Sequence, residues 1–148
     1  MREPLDVREA RGPDAAAVSR LVGELAASIG ESSPVTEPYA SSWLAAPGTV
    51  AFVAARGGEV LGLATCSVRP NLYHAAPCCL IEELVVTGAA RGSGIGAALV
   101  DRVVAFAKAS GCAEISVSTG TGNRGALSLY HRAGFTDEAI LLERHFTG

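Results

Sequence analysis

Residues 81–97 read Ile81-Glu82-Glu83-Leu84-Val85-Val86-Thr87-Gly88-Ala89-Ala90-Arg91-Gly92-Ser93-Gly94-Ile95-Gly96-Ala97, an apolar run that gives way to a glycine-rich turn. The run is strand material, rich in β-branched and Leu residues although interrupted by Glu82 and Glu83. Beyond the turn, Ile95, Leu99, Val103, Phe106 and Ala107 share one stripe of a helix over residues 95–109, with Asp101, Arg102 and Lys108 elsewhere. A helix that starts this way has first-turn N–H groups with no internal partner. Together with the positive end of the macrodipole they form an anion site, to which Arg91 adds a fixed charge and a fork of donors. Gly92, Gly94 and Gly96 allow the backbone to approach a phosphate closely.

On the N-terminal side, residues 5–9 alternate as a short strand, and Gly12-Pro13-Asp14 breaks it and offers Asp14 as a helix N-cap. Val18, Leu21, Val22 and Leu25 recur at helical spacing over residues 15–27. Residues 28–38 have loop composition, and a short helix is expected over 39–46. Two apolar runs, 50–55 and 60–68, joined across Gly57-Gly58, predict a hairpin. Residues 69–77 are expected as a loop and 79–86 as the third sheet strand. Past the long helix, 114–119 alternate as a strand, 123–133 form a helix closed by Gly134, and 141–146 are expected as a final strand. The order β-α-α-β-β-β-α-β-α-β predicts an α/β (α+β) fold, a mixed, mostly antiparallel central sheet flanked by helices.

The chain has 148 residues, of which 49% are hydrophobic and 18% charged. One domain spanning 1–148 is expected, and at that size it buries roughly 70% of its unfolded surface. The formal net charge is −3, with no Lys/Arg stripe to neutralise phosphates, so no nucleic-acid partner is expected. No apolar run approaches the roughly 18 to 20 residues of a bilayer span, so no membrane partner is expected either. Met1-Arg2-Glu3-Pro4 carries acid and proline where a signal peptide has an apolar core, which points to a cytoplasmic protein. A homodimer is compatible with that setting. Cys66, Cys78, Cys79 and Cys112 form no CxxC pair. His74 with Cys78 and Cys79 makes only a partial ligand set, and reduced thiols acting as small hydrophobes account for the cysteines, so no metal is expected.

Two familiar phosphate motifs fail on the glycine turn. No Gly-Lys-Ser/Thr follows, which excludes a nucleoside-triphosphate P-loop. Gly92, Gly94 and Ala97 satisfy the G-x-G-x-x-G/A dinucleotide pattern, but too little chain follows for the rest of a doubly wound domain, and Glu114 starts its strand instead of ending it. Another pattern fits better. Arg91-x-x-Gly94-x-Gly96, after residues 81–86 and before an amphipathic helix, resembles the acyl-CoA-binding motif of the GCN5-related N-acetyltransferase (GNAT) family. Asn123-Arg124-Gly125-Ala126-Leu127-Ser128-Leu129-Tyr130-His131-Arg132-Ala133-Gly134-Phe135 is similar to that family's Asn-x-x-Ala-x-x-x-Tyr-x-x-x-Gly-Phe signature. The likeness extends to the opening strand and helix, the Gly57-Gly58 hairpin and the order of elements. It implies the acyl-CoA N-acyltransferase fold, acetyl-CoA as co-substrate without a metal, and a small-molecule or peptide amine as acceptor, acetylated by direct transfer in a ternary complex. The alternative is a non-catalytic acyl-CoA-binding or regulatory module on the same fold. Tyr130 and an acid on the third sheet strand favour the enzyme, since a binding module needs neither.

The resemblance implies acetyl-CoA contacts at Leu84, Val85, Val86, Arg91, Gly92, Ser93, Gly94, Ile95, Gly96, Ala97, Asn123 and Tyr130. It makes Tyr130 the general acid for the departing thiolate and a backbone N–H near Val86 the carbonyl polariser. Asn123 is implied as a cofactor contact that also caps or orients its helix. At about 100° per residue, Asn123 and Tyr130 fall within about 20° of one helix face. The attacking amine must be uncharged, so a base is needed. Glu82 and Glu83 are the candidates; on a regular strand they face opposite ways, and parity with Leu84 and Val86 selects Glu82. Glu83, Tyr73 and His74 are candidates for the acceptor side, which Tyr39 and Trp43 could also wall.

Overall fold

The computed structural model describes residues 3–120 and 122–147. Five strands, β1 (Leu5–Glu9), β2 (Thr49–Arg56), β3 (Glu59–Asn71), β4 (Ala76–Val86) and β5 (Glu114–Val117), form one sheet in that spatial order. Neighbours are antiparallel as far as β4, and β5 then runs parallel to β4, giving the mixed, mostly antiparallel sheet that the order of elements predicts. The helices are α1 (Ala15–Ser28), α2 (Glu37–Ala45), α3 (Ile95–Ala109) and α4 (Arg124–Arg132). Among the described residues, no helix is long and apolar enough to cross a membrane.

The alternation of the strands sends side chains into two cores. On one face Val18 and Leu21 of α1 and Ala40 of α2 pack on Val53, Leu63 and Val85. On the other, Ile95, Leu99, Val103 and Ala107 of α3 pack on Phe52, Ala54, Ala64, Cys66, Cys79 and Ile81. Gly62 permits that second contact: a Cβ there would lie 2.9 Å from Ile95 Cγ2 and 3.0 Å from Leu99 Cδ1, so any side chain would push α3 off the sheet.

Two expectations fail. The stretch 69–77 is not a loop, because β3 continues to Asn71 and β4 begins at Ala76. Pro70 and Pro77, which read as loop signals, face each other across this hairpin before β5 pairing begins, where a missing N–H costs the ladder little. Residues 141–146 form no strand, and the sheet ends at β5. Adjacent Leu141 and Leu142 followed by Glu143, Arg144 and His145 give poor alternation, and the segment finds no partner ladder. Ile140, Leu141, Leu142 and Phe146 stay exposed, and Arg144 lies over the Phe146 ring at 5.3 Å as a local contact.

Asp14 stands at the N-cap of α1, as its position in the sequence predicts, but its side chain does not cap. It turns back to accept hydrogen bonds from Arg8 Nη1 and Nη2 at 2.8 and 3.0 Å and from the Arg11 N–H at 2.8 Å, tying β1 to the helix start. The Arg8 hydrogen bonds, above all, hold the Asp14 carboxyl below the usual carboxylate range against the opposing effect of burial. A depressed carboxyl contributes stability that is present above its unfolded value and lost as pH falls through its folded value. Asp14→Asn is therefore expected to cost about 1–2 kcal/mol at pH 7. Urea denaturation should show the gap between variant and wild type closing as pH falls from about 4 toward 2.

Candidate active site

β5 accompanies β4 only from Cys78 to Ile81, opposite Glu114 to Val117. From Glu82 onward, β4 has β3 on one side and no strand on the other. Thr87 donates its N–H to the Leu61 carbonyl at 2.8 Å, so the alternation of an antiparallel ladder turns the N–H groups of Val86 and Leu84 away from β3. They point to the side that β5 has left. On that side the Val86 carbonyl accepts a hydrogen bond from Arg91 Nε at 3.2 Å, which ties the glycine turn to the end of the strand.

The turn itself is built from backbone conformations that favour glycine. Gly92 and Gly94 lie in the left-handed region at φ +79° and +82°, and a Cβ at either would meet nothing within 4 Å. Glycine is required there by conformation, and the space beside it is open to a ligand. Gly94 caps α3, and the first N–H bonded within the helix is that of Ala98, to the Gly94 carbonyl at 3.1 Å. The N–H groups of Ile95, Gly96 and Ala97 are left as free first-turn donors. Ser93 folds back, its hydroxyl donating to the Ala90 carbonyl. Gly96 lies where α3, α4 and β4 meet, and a Cβ there would make ordinary contacts, 3.6 Å from Leu129 and 3.9 Å from Val86.

Glu82 sits in a β-bulge. Ile81 is opposite Cys66 and Glu83 is opposite Thr65, so Glu82 is the one residue of β4 in this stretch without a partner on β3. The bulge overturns the parity that put Glu82 on the face of Leu84 and Val86. Ile81, Leu84 and Val86 pack toward α3, whereas Val85 packs toward α1 and α2, and Glu83 takes that same side with buried Thr65. The Thr65 hydroxyl donates to Glu83 Oε1 at 2.5 Å and accepts from the Glu83 N–H at 3.0 Å. Glu82 remains exposed to solvent, yet partial burial of its carboxyl and the neighbouring Glu83 charge push it above the usual carboxylate range, with Arg69 opposing.

Tyr130 is buried, and burial pushes its phenol up from the ordinary value, so it is protonated at neutral pH. The end of α4 fixes its position. Phe135 donates its N–H to the Tyr130 carbonyl at 3.0 Å, Gly134 at φ +98° donates to His131 at 3.1 Å, and the Tyr130 and Phe135 rings meet edge to face at 5.8 Å. This is a Schellman closure with its accompanying side-chain contact. Asn123 lies outside the helix, at the N-cap, where its Oδ1 accepts from the Ala126 N–H at 3.1 Å. The helical arithmetic that put it on the same face as Tyr130 does not apply to a non-helical residue; its capping role is what the structure displays.

Tyr73 and His74 stand at the other end of β4, on the tip of the β3–β4 hairpin, roughly 30 Å or more along the strand from Val86. Tyr73 is exposed and touches the His74 ring, and His74 Nε2 lies 3.5 Å from Glu114. They are not gathered with the glycine turn. Tyr39 is exposed, and Trp43 packs against the α1–α2 core. The residue that sequence reading missed here is Thr65. Thr65 did leave a signal, a hydroxyl in the middle of the run Gly62-Leu63-Ala64-Thr65-Cys66.

The residues thus supply a helix N-terminus suited to a phosphate, an open strand edge with outward-facing donors for an extended ligand, a protonated tyrosine and a pair of carboxylates. Comparison with known proteins identifies the family. The profile of the acetyltransferase (GNAT) family matches residues 20–135. The chain is 34% identical over 103 residues to aminoglycoside N(6')-acetyltransferase type 1 of Klebsiella aerogenes, covering 68% of each chain. It is 32% identical over 97 residues to the N-alpha-acetyltransferase MAK3 of Arabidopsis thaliana, covering 66% of this chain and 50% of that one. Among solved structures, an aminoglycoside acetyltransferase from an uncultured soil metagenomic sample, in complex with sisomicin, superposes with a TM-score of 0.83 at 21% identity, covering 97% of this chain and 95% of that one. A transcriptional regulator from Bacillus halodurans C-125 superposes at 0.84 with 27% identity, covering 97% of this chain and all (100%) of that one.

Proposed function

The chain belongs to the acetyltransferase (GNAT) family, and from that premise we propose that it moves an acetyl group from acetyl-CoA to a primary amine of a small molecule or peptide, by direct transfer in a ternary complex. What carries this reading is one juxtaposition: the open first turn of α3 adjoins the stretch of β4 that β5 leaves unpaired. The cradle at Gly92 and Gly94, which a side chain would fill, fits the diphosphate of acetyl-CoA. The first-turn N–H groups and Arg91 supply its counter-charge, with Ser93, Ile95, Gly96 and Ala97 shaping the turn. The outward peptide groups of Leu84 and Val86 then pair with the extended arm, Val85 anchors that stretch in the core, and Asn123 holds the start of α4 against it.

Bound there, acetyl-CoA supplies a thioester whose carbonyl is attacked by the amine. An outward N–H near Val86 is placed to stabilise the negative charge that develops on the carbonyl oxygen. Glu82 accepts the proton of the ammonium acceptor, directly or through a water, and its raised carboxyl brings it nearer to neutrality, where a base works best. Glu83 is held by Thr65 and supplies charge beside it. Tyr130 keeps its proton at neutral pH and delivers it to the departing sulfur.

The paired carboxylates favour a cationic amine, and the named substrates and activities of the relatives, aminoglycosides and N-alpha-amines, are both amines. A cytoplasmic setting, a single domain over 1–148 and a homodimer belong to the same reading. The free thiols of Cys66, Cys78, Cys79 and Cys112 support the first, and the exposed Ile140, Leu141, Leu142 and Phe146 offer an apolar surface for the last. A non-catalytic module is the second reading, favoured by the likeness to a protein described as a transcriptional regulator. Release of free CoA thiol from acetyl-CoA across a panel of amines decides between them; binding without turnover of any amine favours the module.

Four variants test the parts. Gly94→Val puts a branched side chain into the cradle and strains a φ of +82°; calorimetry should show CoA binding sharply weakened in a protein that still folds. Tyr130→Phe keeps the ring and loses the proton, so kcat should fall about 10²–10⁴-fold with CoA affinity little changed. Glu82→Gln should lower kcat/KM most for the most basic amines. Glu83→Gln removes a like charge that raises Glu82, so the acidic limb of the kcat/KM profile should move to lower pH while the base is retained.

A further inference from the structure

At the closed end of the β4–β5 pair, far from the glycine turn, three metal-ligating side chains converge that acetyl transfer does not use. His74 comes from the tip of the β3–β4 hairpin, Cys78 from the start of β4 and Glu114 from the start of β5. A His nitrogen, the Cys78 Sγ and a Glu114 carboxylate oxygen all lie within 4.8 Å of one another, and His74 Nε2 is 3.5 Å from Glu114 Oε2. We propose that these three residues form a divalent-metal site of the zinc class, separate from the acetyl-transfer site.

Backbone pairing sets two of the three positions. Cys78 and Glu114 are directly opposite each other in the parallel β4–β5 register, so their side chains leave the sheet on the same face. The third is set by the hairpin turn. His74 donates its N–H to Asn71 Oδ1 at 2.9 Å, Ala75 donates to the Leu72 carbonyl at 3.2 Å, and Ala75 occupies the left-handed region at φ +51°. A non-glycine residue in that conformation is held by its surroundings, and here it turns the tip back toward β5.

The donor chemistry selects the ion. A thiolate and an imidazole with one carboxylate suit zinc, and disfavour magnesium and calcium, which take oxygen ligands. Donors on a tetrahedral zinc sit about 3.5 Å apart, given bond lengths of about 2.0–2.3 Å. The His74–Glu114 spacing already meets that, and the thiol needs to close by about 1.3 Å at most, within the reach of partly exposed side chains. On binding, the Cys78 thiol gives its proton to solvent as its sulfur bonds the metal, and neutral His74 and ionised Glu114 complete three protein positions, with water in the fourth. Arg69, opposite Cys78 on β3, is the one nearby cation in the β3–β4–β5 register, and its charge acts on Glu82. Sequence spacing could not suggest this site, because the third donor arrives from a strand 36 residues after Cys78; the expectation of no metal weighed the four cysteines and the partial set His74, Cys78 and Cys79, without Glu114. Cys79 is in fact buried on the opposite face, in the same core cluster as Cys66.

The test is a titration of the reduced full chain with Co²⁺, read by thiolate-to-cobalt charge-transfer absorption. One equivalent should saturate the band, and added Zn²⁺ should abolish it. Cys78→Ser should eliminate the band, and His74→Ala and Glu114→Gln should each weaken Co²⁺ affinity at least about tenfold. Zn²⁺ should raise the Tm of the wild type and not that of the variants. His74 is on the surface, so its variant keeps the test sound if Cys78→Ser folds poorly. Absence of a saturable band, a band that survives Cys78→Ser, or affinity unchanged in both His74→Ala and Glu114→Gln would each overturn the assignment.

Discussion

The site depends on where β5 stops. A strand that ended its pairing later would consume the outward N–H and C=O groups of Leu84 and Val86 in the sheet ladder, and the edge of β4 would have nothing to offer a ligand. Buried peptide groups without partners are costly, so an unpaired edge persists inside a fold only when something satisfies it. Arg91 satisfies one group, the Val86 carbonyl, and thereby brings the glycine turn to the strand end. The first turn of α3 adds further free donors beside the same edge. Donors from a strand and donors from a helix thus adjoin one another, and this concentration of hydrogen-bonding capacity suits an anionic, extended ligand of the kind proposed.

The glycine turn was legible because its requirement is local. Positive φ at Gly92 and Gly94 and the free N–H groups of a helix start follow from residue types in sequence order, and the structure has them. The core-facing stripes of α1 and α3 were legible for the same reason, since a period of 3.6 marks them without knowledge of partners. The Glu82 bulge was not. Its existence depends on a count taken on two strands at once, three residues from Ile81 to Glu83 against two from Cys66 to Thr65. Both strands are apolar there, so nothing in either one alone marks the extra residue, and a single insertion reverses the parity of everything beyond it.

Partner choice explains the other differences. Residues 69–77 carry prolines that read as loop, and residues 141–146 carry leucines that read as strand, yet the hairpin extends through the first and the second stays outside the sheet. In the first case the opposing chain is adjacent in sequence and the prolines fall beyond the reach of β5. In the second, the segment must find a distant edge, and its own pattern is too irregular to specify a register. Asn123 is a smaller instance. Its residue type predicts both a cap and a contact on the helix surface, and once it caps, the helical angle to Tyr130 loses its meaning.

β4 is held from both sides over its first half and from one side over its second, and the bulge sits at the change. That placement links stability to chemistry. Thr65, buried on β3, grips Glu83 through both the backbone N–H and the carboxylate, so the residue just past the bulge is fixed while Glu82 projects free. The charge held at Glu83 is then one of the two causes that raise Glu82. A hydroxyl in the core of one strand therefore adds, through a neighbour it positions, to the effect that partial burial already has on the basicity of a carboxylate on the next. At the opposite end of β4, Cys78 and Glu114 lie where β5 pairing begins, and any link between them fixes the register of that short parallel pair. With only four residue pairs in register, a slip of one would move the point at which the strands part, and with it the peptide groups that face the ligand. An anchor at the closed end thus acts on the open end through the ladder alone, without touching any group that binds or reacts.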